Sequence, residues 1–179
     1  PLHKDNVLPH IKVYRQYYIK WFVNIDEEEI ECKALLDFLF VDTKRKVVKF
    51  ADLKVTVLPA LNYYTEIVSR DIYIQFAFYY DAVQYLINNS EEFKGYKQEL
   101  PKILVVSYTS NQLVTYNINA ELITVGKYGN NLKTIPLMGY KERIKAFFYH
   151  TRSDNYDYPY YMKDSKEINL KLFANDDIS

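Results

Sequence analysis

The sequence has little cysteine and little glycine, no excess of either charge, and no long apolar run. Its single cysteine, Cys32, excludes an internal disulfide framework and a multi-cysteine zinc cluster. Basic and acidic residues number 23 each, so any nucleic-acid contact must come from a local patch rather than from net charge. No apolar run approaches the roughly 20 residues of a membrane span, and no leader pattern begins the chain. We therefore expect a cytoplasmic protein without membrane contact.

The chain has 179 residues, of which 49% are hydrophobic, so it can bury the core of one domain spanning residues 1–179. Nineteen tyrosines against four glycines favour ordered, β-rich structure over disorder. Residue 1 is proline rather than methionine. A native segment that precedes it is therefore one interpretation of the sequence.

The order of predicted elements indicates an α+β fold. Segments rich in β-branched and aromatic residues predict strands at 12–23, 30–41, 47–57, 102–108 and 113–118. Helical spacing of apolar residues predicts helices at 61–68 and 71–88, and a late helix that begins near residue 122 or 141 and ends at 149. Three strands in an antiparallel meander, followed by helices and returning strands, are typical of an α/β/α sandwich around a mixed sheet.

Two aspartates lie inside otherwise apolar strands. Asp37 is in the second predicted strand, and Asp52 is in the third. If these strands pair through the turn at 42–46, the two carboxylates become neighbours, and like charges so close repel unless a cation lies between them. An all-oxygen site suits Mg²⁺ or Mn²⁺. The alternative is an Asp–Lys pair on the solvent-exposed face of the meander.

Lysine and glutamine accompany these aspartates. Asp-x-Lys occurs three times, but only Asp52-Leu53-Lys54 is flanked by an apolar strand with another strand aspartate upstream. Period two places Asp52 and Lys54 on the same face. On the second helix, Gln75 and Tyr79 are spaced i and i+4 and share a face. A glutamine among Phe and Ile needs a polar partner, which a neighbouring lysine or a DNA phosphate would supply.

The ordered series Lys33-Ala34-x-x-Asp37, Asp52-x-Lys54 and Gln75-x-x-x-Tyr79 resembles the PD-(D/E)xK nuclease superfamily. The closest branch is that of the RecB-like and RecE-type exonucleases of phages and recombination systems, and the resemblance covers roughly residues 15–150. It implies a restriction-endonuclease-like fold and a metal-dependent deoxyribonuclease, expected to be a 5′→3′ exonuclease in recombination or phage DNA metabolism. It further implies DNA as substrate, Mg²⁺ or Mn²⁺ as cofactor, the cytoplasm of a bacterial or phage-infected cell, and a homo-oligomer or a single-strand annealing protein as partner.

The resemblance also assigns roles to residues. Asp37, Asp52 and the Leu53 carbonyl would hold the metal, Lys54 would orient the attacking water and offset charge on the phosphate, and Gln75 and Tyr79 would hold the lysine and the scissile phosphate. The family has a further acidic or histidine residue on an upstream helix, whereas His3 and His10 flank prolines and Gln16 lies where a strand glutamate is usual. That residue belongs to a longer native chain, or this copy is incomplete.

Two basic clusters are candidates for DNA contact. One is the turn Lys44-Arg45-Lys46, interpreted either as a solvated turn or as a grip on phosphate beside the site. The other, in the C-terminal half, is interpreted either as an ordinary helix surface or as a contact for a DNA strand, with Tyr140 and Tyr149 between its basic residues; these are Lys141, Arg143, Lys145, His150 and Arg152. Two further hypotheses stay open: a nuclease-fold DNA-binding protein without catalysis, and a β-rich virion or assembly protein. The last predicts that Asp37 and Asp52 lie far apart and face solvent.

Overall fold

The computed structural model describes residues 8–130 and 137–152. The chain divides into two compact units, Pro1–Arg143 and Ile144–Ser179. The whole sheet and the first three helices belong to the first unit, and the fourth helix begins there and continues into the second. The expectation of one domain over residues 1–179 stays a prediction.

Within residues 8–130 and 137–152, the sheet is mixed and has six strands. Its strands are β1 (Ile11–Ile25), β2 (Glu28–Asp42), β3 (Val47–Thr56), β4 (Lys97–Gln98), β5 (Lys102–Ser107) and β6 (Gln112–Asn117). The order is β1-β2-β3-β5-β6, with the short β4 also paired to β3. Strands β1, β2 and β3 form the predicted antiparallel meander, whereas β3 and β5 run parallel because helices intervene between them. The predicted α+β class is confirmed.

Four helices are described: α1 (Tyr64–Ser69), α2 (Ile72–Asn89), α3 (Ala120–Tyr128) and α4 (Tyr140–Arg152). Both alternatives for the late helix are present, one as α3 and the other as α4. Asn119 caps α3, since its side chain accepts a hydrogen bond from the Leu122 N–H. Across residues 8–130 and 137–152, every helix falls short of the apolar length that a bilayer crossing requires.

The core lies between the sheet and α2. Phe50 of β3 is fully buried and stacks on Phe76 of α2, with ring centroids 5.5 Å apart. Trp21 of β1 is also buried and meets Phe78 of α2 edge to face at 4.9 Å. Because side chains alternate between the faces of a strand, these contacts fix which face of β1 and β3 is turned toward α2.

A polar cluster fastens α3 and the start of α4 to α2. Lys127 of α3 forms an ion pair with Asp81 of α2, and the Tyr140 hydroxyl donates a hydrogen bond to the same carboxylate. Burial, together with the Asp81 carboxylate, raises the pKa of Tyr140 above its usual range. Gly126 permits the close approach of the two helices, because a Cβ there would lie only 2.5 Å from the Ala77 Cβ.

The sheet opens at one point in the meander. The β1–β2 ladder omits the position where Gln16 faces Asp37, and Gln16 has a positive φ of 50°. The β2–β3 ladder ends at the pair of Phe38 and Ala51. Beyond that pair β2 continues beside β1, and β3 continues beside β5. We call this opening the fork, defined by Asp37 on β2 and by Asp52 and Leu53 on β3.

Candidate functional site

Asp37 lies where β2 and β3 separate. Its Oδ2 accepts a hydrogen bond from the Leu53 backbone N–H at 2.8 Å, and its Oδ1 accepts one from the Gln16 side chain at 3.0 Å. The carboxylate thus takes the place of the strand partner that Leu53 would otherwise have on β2. In register, Asp37 would face Asp52, because the last pair of the ladder joins Phe38 to Ala51.

Asp52 is buried, with only 4% of its surface exposed. The Lys54 ammonium lies 2.8 Å from Asp52 Oδ2 as an ion pair, but among the described residues no donor is angled for a hydrogen bond to that oxygen. Burial raises the pKa of the Asp52 carboxyl, Lys54 opposes this effect, and the negative charge of Asp37 adds to it. Asp37 accepts a hydrogen bond from the N–H of the residue next to Asp52, so the two aspartates adjoin each other, the arrangement that pairing of these strands predicted. The assembly-protein hypothesis expected the opposite arrangement.

Lys54 joins the strand to the helix. Its ammonium donates a hydrogen bond to Gln75 Oε1 at 2.8 Å, and the Gln75 amide donates to the Tyr79 hydroxyl at 3.2 Å. The Tyr79 ring packs edge to face on Phe50, which anchors this end of the chain of contacts in the core. Gln75 therefore has a polar partner, and it is the lysine, one of the two partners that the sequence left open. The contacts leave the Lys54 ammonium between a carboxylate and an amide oxygen, so its charge is fixed in place.

The oxygens at the fork form a small, hard donor set. In residues 8–130 and 137–149, no group of three or more His, Cys, Asp or Glu side chains is placed to hold a metal ion. The fork does offer the two carboxylates of Asp37 and Asp52, and within the described part of the chain the only partner of the buried Asp52 Oδ2 is the Lys54 ammonium. The carbonyl of a strand residue points to the same side as its N–H, so the Leu53 carbonyl is directed toward Asp37 as well. These donors fit a divalent ion that keeps several waters, as Mg²⁺ does.

Comparison with known proteins identifies no family. No family model matches the chain, and no curated protein matches it. Five chains among the solved structures do match. One of them, described as "Crystal structure of SSO0001", is 12% identical with a TM-score of 0.39. The match covers 63% of this chain and 46% of that one, so the protein spans less than half the length of this neighbour.

The turn of Lys44, Arg45 and Lys46 is remote from the fork. Five positions of β2 separate Asp42 from Asp37, a distance of about 17 Å along an extended strand. Arg45 forms an ion pair with Glu99 at 2.7 Å, and the Lys46 ammonium lies over the Tyr96 ring. The structure therefore does not bring this turn beside the carboxylates, because the hairpin extends beyond them before it reverses.

The basic residues of α4 have different environments. The Lys141 ammonium lies over the Tyr128 ring, 5.0 Å from its centroid. Arg143 forms an ion pair with Asp71 at 2.8 Å, just before α2 begins. This contact joins the guanidinium to the residue that directly precedes α2. Lys145 belongs to the second unit and is not placed relative to the fork.

The conformation of Gln16 and its contact with Asp37 are the features of the site that the sequence predicted least well. Its amide donates a hydrogen bond to Asp37 from the neighbouring strand, and its φ of 50° lies in the left-handed region that non-glycine residues rarely adopt. The strand pattern of β1 carries no glycine or proline signal for this conformation. The resemblance noted only that Gln16 lies where a strand glutamate is usual, and the interruption of pairing on both strands depends on tertiary contacts.

Replacing Asp52 with asparagine should change stability in a pH-dependent way. The raised pKa means that the folded state holds the carboxyl proton more tightly than the unfolded state. The stability that Asp52 contributes is therefore complete below its unfolded pKa and is lost as pH rises through its folded pKa. Relative to wild type, Asp52→Asn should gain free energy of unfolding as pH increases from about 4, and this gain should level off above the folded pKa.

Urea unfolding of both proteins in EDTA, at a series of pH values, measures this difference. The ion pair to Lys54 forms only when Asp52 is ionised, so its loss is part of the same pH-dependent difference, while the lysine itself stays charged throughout this range. Added Mg²⁺ should stabilise wild type and not Asp52→Asn, since an ion that binds only the folded state raises its stability. A difference between the two proteins that does not vary with pH would contradict the burial argument.

Proposed function

We propose that this protein is a metal-dependent deoxyribonuclease of the PD-(D/E)xK type. One observation carries the proposal: Asp37 and Asp52 adjoin each other at the fork, and Lys54, Gln75 and Tyr79 extend from Asp52 in a continuous series of polar contacts. These are the five side chains that the resemblance assigned to catalysis. Carboxylates beside a fixed ammonium are suited to binding a cation and stabilising an anionic transition state.

The carboxylates supply the cation site. Asp37, Asp52 and the Leu53 carbonyl would hold Mg²⁺ or Mn²⁺, and hydrogen bonds from Gln16 and the Leu53 N–H fix the orientation of Asp37. A divalent ion bound there polarises a phosphate and lowers the pKa of water. Burial of Asp52 strengthens this interaction, because charges attract more strongly where the local dielectric is low.

Lys54 supplies a positive charge at a fixed position. Its ammonium makes close contacts on two sides, with Asp52 and with Gln75, so little reorganisation is needed when charge develops on a phosphate oxygen. The remaining donor capacity of the ammonium is available to orient water or a phosphate oxygen. Gln75 and Tyr79 act on the lysine, since their contacts determine where its head group lies.

The finer assignments are part of the same proposal and are supported by the resemblance. They are 5′→3′ exonuclease polarity, a role in recombination or phage DNA metabolism in the cytoplasm of a bacterial or infected cell, and association with further copies or with a single-strand annealing protein. The equal numbers of basic and acidic residues require that DNA be held by local contacts rather than by net charge.

The decisive experiment measures release of nucleotides from linear DNA labelled at either the 5′ or the 3′ end. Wild type should degrade the DNA with Mg²⁺ or Mn²⁺ and not with EDTA, and the label released first gives the polarity. Asp37→Asn, which preserves shape but removes a charge, should lower the rate by at least about a hundredfold. Intact DNA after incubation with excess wild-type protein and either metal would overturn the proposal.

A nuclease-fold DNA-binding protein without catalysis is the second candidate. It is favoured by Gln16, a neutral amide that contacts Asp37 where the described residues offer no third acidic side chain. This candidate predicts DNA binding that weakens with salt and is unchanged in Asp37→Asn, with no cleavage by either protein. Measuring binding and cleavage on the same labelled DNA distinguishes the two functions.

A further inference from the structure

A second concave surface lies on the opposite face of the sheet. Lys49 and Ala51 alternate along β3 with Phe50, whose ring stacks on Phe76 of α2. Alternation directs Lys49 and Ala51 away from α2. On that side, β1, β2, β3 and β5 together line a partly open cavity of about 270 Å³. This cavity is separate from the fork.

The walls of the cavity are mostly apolar. Ile11, Phe40, Val47, Ala51 and Leu104 contribute them. An apolar cavity of about 150 Å³ holds a benzene molecule, so this volume accommodates a larger hydrocarbon group. Concave apolar surfaces with a few polar groups at the margin are typical of small-molecule sites.

All but one of the charged side chains at the margin of the cavity already form hydrogen bonds or ion pairs within the protein. The Asp42 carboxylate accepts hydrogen bonds from two backbone N–H groups of the turn. Glu99 forms ion pairs with Arg45 at 2.7 Å and with Lys49 at 3.6 Å. Lys102 lines the cavity and, among the described residues, has no ion pair. The charge still available to a ligand is therefore positive.

The position of Lys102 suits an anionic head group. In the parallel pairing of β3 and β5, Lys102 is the partner of Ala51, so its stem begins beside the apolar floor. Lys102 also lines an adjoining groove with Leu100, Pro101 and Ile118, which extends the concave surface beyond the ammonium. From this arrangement we propose that the cavity binds a small apolar anion, an aliphatic or aromatic carboxylate or sulfonate, whose charged group contacts Lys102.

Two fluorescent probes with the same ring systems test the proposal. 1-Anilinonaphthalene-8-sulfonate carries a sulfonate, and N-phenyl-1-naphthylamine does not. Wild type should bind the sulfonate saturably at one equivalent. Lys102→Met should weaken sulfonate binding about tenfold, the loss expected for a charge-assisted contact, and leave binding of the uncharged amine within about twofold.

Matched variants separate the cavity from other surfaces. Lys94→Met makes the same change at an exposed lysine outside the cavity and should leave binding of both probes unchanged. Ala51→Leu should abolish binding of both probes, because the larger side chain fills the floor. If Ala51→Leu fails to fold, the comparison of sulfonate binding in wild type and Lys102→Met still decides the question. Equal sulfonate affinity in wild type and Lys102→Met, or binding that does not saturate at one equivalent, would overturn the proposal.

Discussion

Lys54→Met is expected to slow Mg²⁺-dependent DNA hydrolysis by about 10² to 10³-fold, the effect of removing one fixed donor from a charged transition state. The substitution retains the length of the side chain but removes the ammonium that contacts Asp52 and Gln75. No other described lysine has this pair of contacts, so we expect no neighbouring charge to replace it. Single-turnover cleavage of linear DNA at saturating protein measures the chemical step directly.

Lys49→Met is the matched control for this experiment. Lys49 lies on the same strand but on the opposite face, where it forms an ion pair with Glu99. Its substitution should leave the cleavage rate within about twofold of wild type, as expected for a partly exposed ion pair remote from the reaction. Circular dichroism of both variants shows whether they are folded. Equal rates for Lys54→Met and wild type, or an equal loss for Lys49→Met, would exclude the role given to Lys54.

The meeting of Asp37 and Asp52 was predictable from the sequence because it depends on local rules. A polar turn at 42–46 between two apolar strands sets the register, and the register makes the two aspartates neighbours. The contact of Lys54 with Gln75 followed from a different rule, since a glutamine in an apolar helix needs a polar partner. Each inference required only the alternation of a strand or the periodicity of a helix.

The contacts of the basic side chains were not predictable from such local rules. Arg45 contacts Glu99 and Arg143 contacts Asp71, and both partners are far away in the sequence. Charge patterning along the chain identifies exposed basic residues, but it does not show which carboxylate tertiary structure will bring to them. The cavity next to Lys102 could not be predicted from the sequence for the same reason, because its walls come from four different strands.

The interruption at Gln16 shows another limit of sequence reasoning. Buried positions on β2 alternate regularly up to Leu36 and then change phase, so that Leu39 is buried instead of Phe38. Strand propensity alone predicts unbroken alternation. The change of phase occurs beside Asp37, and the hydrogen bonds of its carboxylate take the place of ladder bonds there. The local conformation is thus coupled to the polar site, which a pattern of apolar residues does not encode.

Phe50→Ala is expected to lower the free energy of unfolding by about 3 to 5 kcal/mol, as large-to-small substitutions of buried aromatic residues do. Phe50 is fully buried, stacks on Phe76 and meets the edge of Tyr79. Leu113→Ala, at a position that is 68% exposed, should change stability by no more than about 0.5 kcal/mol. Urea unfolding of the two variants and wild type provides the measurement.

A double-mutant cycle of Phe50→Ala with Phe76→Leu tests whether the sheet and α2 are joined at this contact. The coupling free energy between stacked rings should be about 0.5 to 1.5 kcal/mol beyond the effect of burial. Because Tyr79 also packs on Phe50, the single substitution should further loosen the series that holds Lys54, and cleavage should slow even where Phe50→Ala is fully folded. Full cleavage activity in a folded but destabilised Phe50→Ala protein would show that Lys54 is positioned by its polar contacts alone.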